Sequence, residues 1–474
     1  MPARRIYLLS PKELSPETIA VAFAKTSRSP ESFSEIASGL TDEKSAKFHE
    51  KWVVGYGHAS VAEHAVLHIA FENVSRLAIE SIESNRLASY TEKSTRYQKW
   101  APDDFLIPSE LEEHALRAEY IAVCRLLFKT YADSLEPVRN VVIGRTPRRE
   151  SETAEALDRR VRSQYVDVCR FLLPAASLAN VGMTINARAL EHTIRKLLSH
   201  ELAEVRDIGA QVKAVARDEV PTLVKYADAV PYLSETEMEF DRLARDAEGS
   251  HRVEHMPAEW CKLVDFDPDG ENKVLAAALY RFGNKAFGDA LDHVRGLGPD
   301  ERTGLAESLL GRLGEHDSPL RELEYTGYTF DLVMDQGAYA EFKRHRMMTQ
   351  TAQRLTARLG YSVPRLMVDA GFGRAYEAAL KAASELYGKL ESSSPSVAQY
   401  VVPNGFHRRV LARFNLREAY AFCQLRAAPN AHFSIRRIAQ RISKELTRVH
   451  PLLARYMRLP DETWQGVEAR HFAA

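Results

Sequence analysis

Thr41–Ser60 reads TDEKSAKFHEKWVVGYGHAS, and Pro299–Ser318 reads PDERTGLAESLLGRLGEHDS. The two stretches align without a gap: Asp42 and Glu43 fall on Asp300 and Glu301, His58 on His316, and Ser60 on Ser318. Thr or Pro followed by Asp-Glu reads as a helix start, with acids in the first turn. A match of this kind raises an internal repeat, which has to be settled before any motif is read. Working outward, further windows correspond in the same order. IYLLSP (Ile6–Pro11) lies against LVDFDP (Leu263–Pro268), each a short apolar strand-like run closed by proline and followed by an alanine-rich helical stretch. RFLLP lies against QYVVP and AEVRDIGAQV against FSIRRIAQRI. The spacing from Pro174 to Asn186 equals that from Pro403 to Asn415, with Arg188 and Arg417 two residues later. The chain is expected to be two homologous halves, 1–235 and 257–474. The polar segment SETEMEFDRLARDAEGSHRVEHMPAEW between them reads as a linker.

Each half follows one coarse pattern: a strand, two helices, a strand, then longer helices. HAVLHIAFENV and ELEYTGYTFDLV carry the alternating apolar, β-branched and aromatic character of strands. LEEHALRAEYIAVCRLLFKTYADSL and AYEAALKAASELYGKL space their apolar residues by three and four, as amphipathic helices do. The expected class is α+β, helix-rich, with a small sheet in each half.

Composition narrows the function. Lys+Arg number 64 against 65 Asp+Glu among 474 residues, a net charge of -1 that gives no reason to expect a nucleic-acid partner. No apolar run approaches the roughly 20 residues a membrane span needs. The start, MPARRIYLLSPKEL, has no apolar core, so no signal peptide is read and a cytoplasmic location is expected. Cys124, Cys169, Cys261 and Cys423 form no CxxC pair, which argues against structural zinc or disulfides and for small buried side chains.

Four polar clusters remain: GHASVAEH (His58, Ser60, Glu63, His64), SNRLASYTEKSTRYQ (Arg86, Ser89, Glu92, Ser94, Arg96), the Arg344-His345-Arg346 tripeptide, and the pairs Asn186/Arg188 and Asn415/Arg417 with Arg170 and Arg426 nearby. Singly, each has a plain reading as a helix-end charge, a cap or a turn. Together, serine hydroxyls and arginine guanidiniums suit phosphate, and a second Arg/His group suits another anion such as the diphosphate of a dinucleotide. Neither a P-loop nor GxGxxG is present.

In this order the motifs resemble flavin-dependent thymidylate synthase, twice over. That family carries GHxTPFEH or GHxSPFEH, then RHRxASxNExSxRY, RxxLP, NxR, a later Arg and a closing EIR. The first half keeps GHASVAEH, the tail LASYTEKSTRY, Arg170 with Pro174, Asn186/Arg188 and Glu204–Arg206. It loses the head, with Ser84-Asn85-Arg86 for Arg-His-Arg and Ser81 where Gln is usual. Lys196, or Arg195 with a one-residue gap, stands for the later Arg. The second half keeps Arg344-His345-Arg346, His316, Ser318, Pro319, Asn415, Arg417 and Arg426. It loses the tail: Ala352, Arg354, Thr356 and Gln399 replace Glu, Ser, Arg and the RxxLP arginine, and Glu341 replaces Gln.

The resemblance implies two fused copies of that fold and transfer of a methylene group from methylenetetrahydrofolate to C5 of dUMP. FAD would be the reductant and NADPH would recharge it. It implies dUMP contacts from Glu92, Ser94, Arg96, Arg170 and Arg426, with Arg426 steadying the ionised uracil as the catalytic residue. It implies FAD contacts from Arg344, His345, Arg346, His316, Ser318, Asn415 and Arg417, and from His58, Ser60, Glu63, Asn186 and Arg188. The first half would serve the nucleotide and the second the flavin. The family is homotetrameric, so a fused pair is expected to form a homodimer, with nucleotide and folate as small-molecule partners and neither nucleic acid nor membrane. Three alternatives stay open: a nucleotide- and flavin-binding homologue without catalysis, an enzyme of another pyrimidine nucleotide, and a helical interaction protein with no small ligand.

Overall fold

Leu178–Asn186 alternates buried Ala179, Val181, Met183 and Ile185 with less buried neighbours, the period-two pattern of a strand with one face in the core. It is the central strand of an antiparallel sheet made of β1 (Val66–Ser75), β2 (Ala88–Glu92) and β3 (Leu178–Asn186), in the order β1-β3-β2. A second antiparallel sheet contains β4 (Cys261–Phe266), β5 (Gly327–Asp335), β6 (Thr349–Ala352) and β7 (His407–Asn415), in the order β4-β5-β7-β6. Val66 pairs with Asn186 in one sheet and Gly327 with Asn415 in the other, so the repeat holds at the level of strand register. These facts come from a computed structural model that describes residues 5, 7–27, 29–98, 100–248 and 257–473.

The helices repeat as well. In the first half α1 (Arg76–Ile82) follows β1, α2 (Arg117–Arg145) and α3 (Ala154–Cys169) follow β2, and α4 (Ala187–Leu198) and α5 (Ala203–Arg217) follow β3. In the second half α6 (Gln336–Phe342) follows β5, α7 (Gly373–Glu391) follows β6, and α8 (Leu416–Arg426) and α9 (Phe433–Val449) follow β7. The class is α+β with two repeated halves, as the sequence indicates. The Asp-Glu helix starts are also present. Thr41 caps Asp42–His49 by accepting from Lys44 N, and Pro299 opens Pro299–Leu310, where Glu301 reaches back to Gly298 N at 2.8 Å.

Two compact units form, and they do not follow the sequence halves. One comprises the described residues of Met1–Ile121, Ala175–Arg252 and Ser394–Tyr400; the other comprises those of Ala122–Pro174, Val253–Ser393 and Val401–Ala474. Most of α2 and all of α3 therefore belong to the unit built on the second sheet. In return, Ser394–Tyr400 belongs to the unit built on the first.

Two expectations need correction. Tyr7–Pro11 forms no strand, and Ile6 lies outside the described residues; Leu8 is 93% exposed, so the run finds no ladder and the first sheet lacks the counterpart of β4. The linker segment is also largely helical: Pro231–Glu248 is a helix, and residues 249–256 lie outside the described residues.

In the second unit the core gathers Phe330 and Phe414, stacked at 5.5 Å, with Tyr328, Phe342, Phe422 and the apolar face of α9. Buried histidines brace it. Tyr328 Oη lies 2.6 Å from His450 Nδ1, and His450 Nε2 reaches Asp267 O at 2.9 Å. His407 binds Leu359 O and Ser362 Oγ at 3.0 Å each. Burial lowers the pKa of His407, His432 and His450, and it takes His471 down to about 3. Their folded pKa values lie below the unfolded value near 6.5, so their contribution is complete above that pH and is lost as pH falls through the folded values. The expected result is a lower urea midpoint at pH 5.5 than at pH 7.5, corresponding to an unfolding free energy smaller by about 1 kcal/mol for each imidazole that stays neutral, with an unchanged slope. Equal midpoints would show that these histidines are not held neutral.

Candidate active site

α6 ends at Phe342, and the chain turns through Arg344-His345-Arg346 before β6. The turn leaves Arg344 and Arg346 exposed and buries His345. Arg426, in the last turn of α8, can only donate, so its Nε–H goes to His345 Nε2 at 3.0 Å. The imidazole proton then sits on Nδ1 and goes to Glu418 Oε1 at 2.9 Å. Glu418 is set in place by Asn415, which closes β7 and caps α8 by accepting from Glu418 N at 2.9 Å.

Arg426 has a second partner: its Nη1 donates to Glu341 Oε2 at 2.9 Å. Glu341 Oε1 lies 3.6 Å from Arg170 Nη2, which also meets Asp167 Oδ1 at 3.2 Å. Arg170 closes α3, and its carbonyl accepts from Asn404 Nδ2 at 2.9 Å. The next residue in each strand of this crossing is also tied, Gly405 N to Phe171 O at 2.9 Å. A Cβ on Gly405 would stand 2.6 Å from Tyr376 Oη, so only glycine allows this approach. Six residues thus form one polar chain within the second unit: Asp167, Arg170, Glu341, Arg426, His345 and Glu418. Burial pulls the Arg426 guanidinium below its ordinary pKa, and the Glu341 carboxylate opposes that shift.

The equivalent place in the first unit carries different residues at each of these positions. Ser81 replaces Glu341 and lies 3.1 Å from His200 Nε2. Asn85 replaces His345, and its buried Nδ2 has no partner among the described residues. Ala189 replaces Glu418 as the residue capped by the asparagine, here Asn186 at 2.9 Å. Of the two candidates for the later Arg, Lys196 points here, donating to Ser84 Oγ at 2.6 Å, and burial lowers its pKa. Arg195 instead pairs with Glu191 at 2.8 Å. Gln399 stands for Arg170 and also belongs to this unit.

The dUMP candidates are divided. Arg170 and Arg426 come together in the second unit, whereas Glu92, Ser94 and Arg96 belong to the first. Glu92 Oε1 pairs with Arg76 Nη1 at 2.5 Å, and Ser94 Oγ accepts from Arg96 N at 3.3 Å within a turn.

Six of the flavin candidates line two cavities, whereas His345 belongs to the polar chain above and Asn186 caps α4. His58, Ser60 and Glu63 line one of about 910 Å3 in the first unit, walled by Phe23, Phe48 and Trp52. Arg188 joins them through Glu63 at 2.5 Å. Trp52 lies in a π-helical turn, Glu50–Gly55, and stacks on Tyr56 at 5.0 Å. Such turns are frequent at functional sites. In the second unit Ser318, Asn415 and Arg417 line a cavity of about 200 Å3, and Arg417 is tied to Pro319 O at 2.9 Å and Glu324 at 3.1 Å. His316 is exposed and does not line it.

Sequence reading missed Glu418 and Asp167. Each had a faint signal: Glu418 stands at the third position after a capping asparagine, and Asp167 lies one helical turn before Arg170. The four cysteines are buried and free, as expected, with Cys169 pushed up to about 12 by burial. Among the described residues no helix is long and apolar enough to cross a membrane, and no group of three His, Cys, Asp or Glu is placed to hold a metal.

Comparison with known proteins gives a consistent picture. The family model described as thymidylate synthase complementing protein matches twice, at residues 9–222 and 262–452. A UPF0159 protein of Chlamydia muridarum is 31% identical over 436 residues, 88% of this chain and 82% of the relative. A UPF0159 protein of Thermoplasma acidophilum is 28% identical over 455 residues, 88% of this chain and 89% of the relative. A flavin-dependent thymidylate synthase of Clostridium tetani is 26% identical over 215 residues, 45% of this chain and 82% of the relative.

Proposed function

Because the chain belongs to the thymidylate synthase complementing protein family and matches it twice, we propose that it is a flavin-dependent thymidylate synthase converting dUMP to dTMP. Methylenetetrahydrofolate and NADPH are the proposed co-substrates. The observation that carries the reading is the meeting of Arg170, from the first half, with Arg426 and the Arg344-His345-Arg346 turn of the second, in one unit. Two guanidiniums on one partly enclosed carboxylate are built to hold anions.

The residues are compatible with FAD. A cavity of about 910 Å3 with three aromatic walls suits a large planar group. His58, Ser60 and Glu63, which line it, would hold the flavin, with Arg188 joined to them through Glu63. When bound, the flavin supplies the reducing equivalents. The chain's own work is binding and charge stabilisation: Arg170 takes the nucleotide phosphate and Arg426 faces the ionised uracil. The Glu418–His345 pair holds Arg426 Nε in one orientation, which fixes where its remaining N–H groups point. No cysteine nucleophile is required, in keeping with four buried thiols. A homodimer is the proposed assembly.

The test is the visible absorption spectrum of the purified protein with added FAD, before and after dUMP. A bound-flavin spectrum that shifts with dUMP, followed by dUMP-dependent NADPH oxidation, is the expected result. A protein that takes up no FAD would overturn the reading and favour a homologue that has left flavin chemistry behind.

A further inference from the structure

Glu341 stands where glutamine is usual, and a carboxylate near a nucleotide phosphate would repel it. Its surroundings turn that objection into a mechanism. Both oxygens are engaged, Oε2 by Arg426 at 2.9 Å and Oε1 by Arg170 at 3.6 Å. All three side chains are only 15% exposed, so the charges meet with little water between them. Glu341 lies in the last turn of α6, where the helix dipole disfavours an acid, so the two arginines are what hold it. At the same place in the first repeat, uncharged Ser81 meets His200 instead.

We propose that Glu341 is a built-in anion that closes the Arg170–Arg426 pair, so that an anionic nucleotide binds only by displacing it. This rests on the reading of Arg170 and Arg426 as nucleotide-binding residues. Glu341 thereby sets the affinity and specificity of the site. A monoanion, or a neutral nucleoside, cannot replace what the carboxylate already gives, whereas a nucleotide serves both guanidiniums at once, its doubly charged phosphate at Arg170 and its uracil at Arg426. Displacement leaves Glu341 to find other donors, and that cost is subtracted from the binding of every ligand.

The experiment is calorimetric titration of dUMP, deoxyuridine and inorganic phosphate into the whole chain, Arg170→Ala, Glu341→Gln, Glu341→Ser and the double variant Arg170→Ala/Glu341→Gln. Glutamine keeps the shape and removes the charge; serine copies the first repeat and serves if glutamine perturbs folding. The expected result is dUMP binding tighter by about tenfold or more in either single Glu341 variant. Phosphate binding should gain in parallel, deoxyuridine should not, and the gain should vanish in the double variant. Arg170-dependent binding of dUMP to the parent with no gain in either Glu341 variant would overturn the proposal and leave the functional reading standing. Absence of dUMP binding in every protein would overturn both.

Discussion

Arg426→Ala is expected to lower dUMP-dependent NADPH oxidation by a factor of about 100 to 1,000, the range for losing one preorganised donor to a developing negative charge. His345 Nε2 holds the guanidinium Nε–H at 3.0 Å, so once the nucleotide has displaced Glu341 the remaining N–H groups are already oriented when charge appears on the ring. Arg426→Lys is the informative control. An ammonium keeps the charge but has no fork to serve His345 and the uracil together, so most of the rate should still be lost. Both variants should keep bound FAD, because the effect is assigned to the uracil. Truncation also leaves His345 Nε2 without its donor and Glu341 with Arg170 alone. A stability loss approaching about 3 kcal/mol in Arg426→Ala is therefore expected, the low end for breaking a buried pair because one cation remains. An unchanged rate in a folded, flavin-loaded Arg426→Ala protein would remove this residue from the chemistry.

The sequence announces the repeat, and it does so where local physics is strong. β1 and β5 carry the alternating patterns that mark them as strands, whereas β3 and β7 do not appear in the sequence reading, and the helix starts at Asp42 and Pro299 follow from acids in a first turn. Arg344-His345-Arg346 and Arg426 were also legible, because arginine and histidine at fixed spacing are rare enough to notice. What was hidden is what depends on partners far along the chain. No local signal says that Ala122–Pro174 folds around the second sheet. Hence Arg170 reads as belonging with Glu92 and Arg96, when its neighbours are Glu341 and Asp167. Glu418 looks like a capping residue until the fold brings His345 to it. The missing strand at Tyr7–Pro11 is the reverse case: the run has the right composition, but no ladder accepts it.

The two repeats have also exchanged an acid and a hydroxyl at one buried contact, and this yields the largest expected stability effect. In the first, Ser75 caps α1 by accepting from Ala78 N at 2.9 Å, while Glu204 accepts from Ser75 N at 2.8 Å, Ser75 Oγ at 2.6 Å and Tyr400 Oη at 2.8 Å. In the second, the equivalent cap of α6 is Asp335, the equivalent of Glu204 is Ser434, whose hydroxyl donates to Asp335, and the equivalent of Tyr400 is Phe171. Each arrangement has one carboxylate and enough donors to satisfy it. Mixed arrangements do not. Glu204→Ser strands three donors, and Ser75→Asp sets two carboxylates together in a buried place; each should cost about 2–4 kcal/mol. Exchanging all three residues, Ser75→Asp/Glu204→Ser/Tyr400→Phe, rebuilds the contact of the second repeat inside the first. It should return most of the loss, because contacting residues do not add. The shortfall should be about 1 kcal/mol, since Ser75 N–H loses Glu204 and gains nothing. Urea unfolding of the two single variants and the triple variant decides it. A triple variant as unstable as the sum of its parts would mean that the acid and the hydroxyl are held by their surroundings rather than by each other.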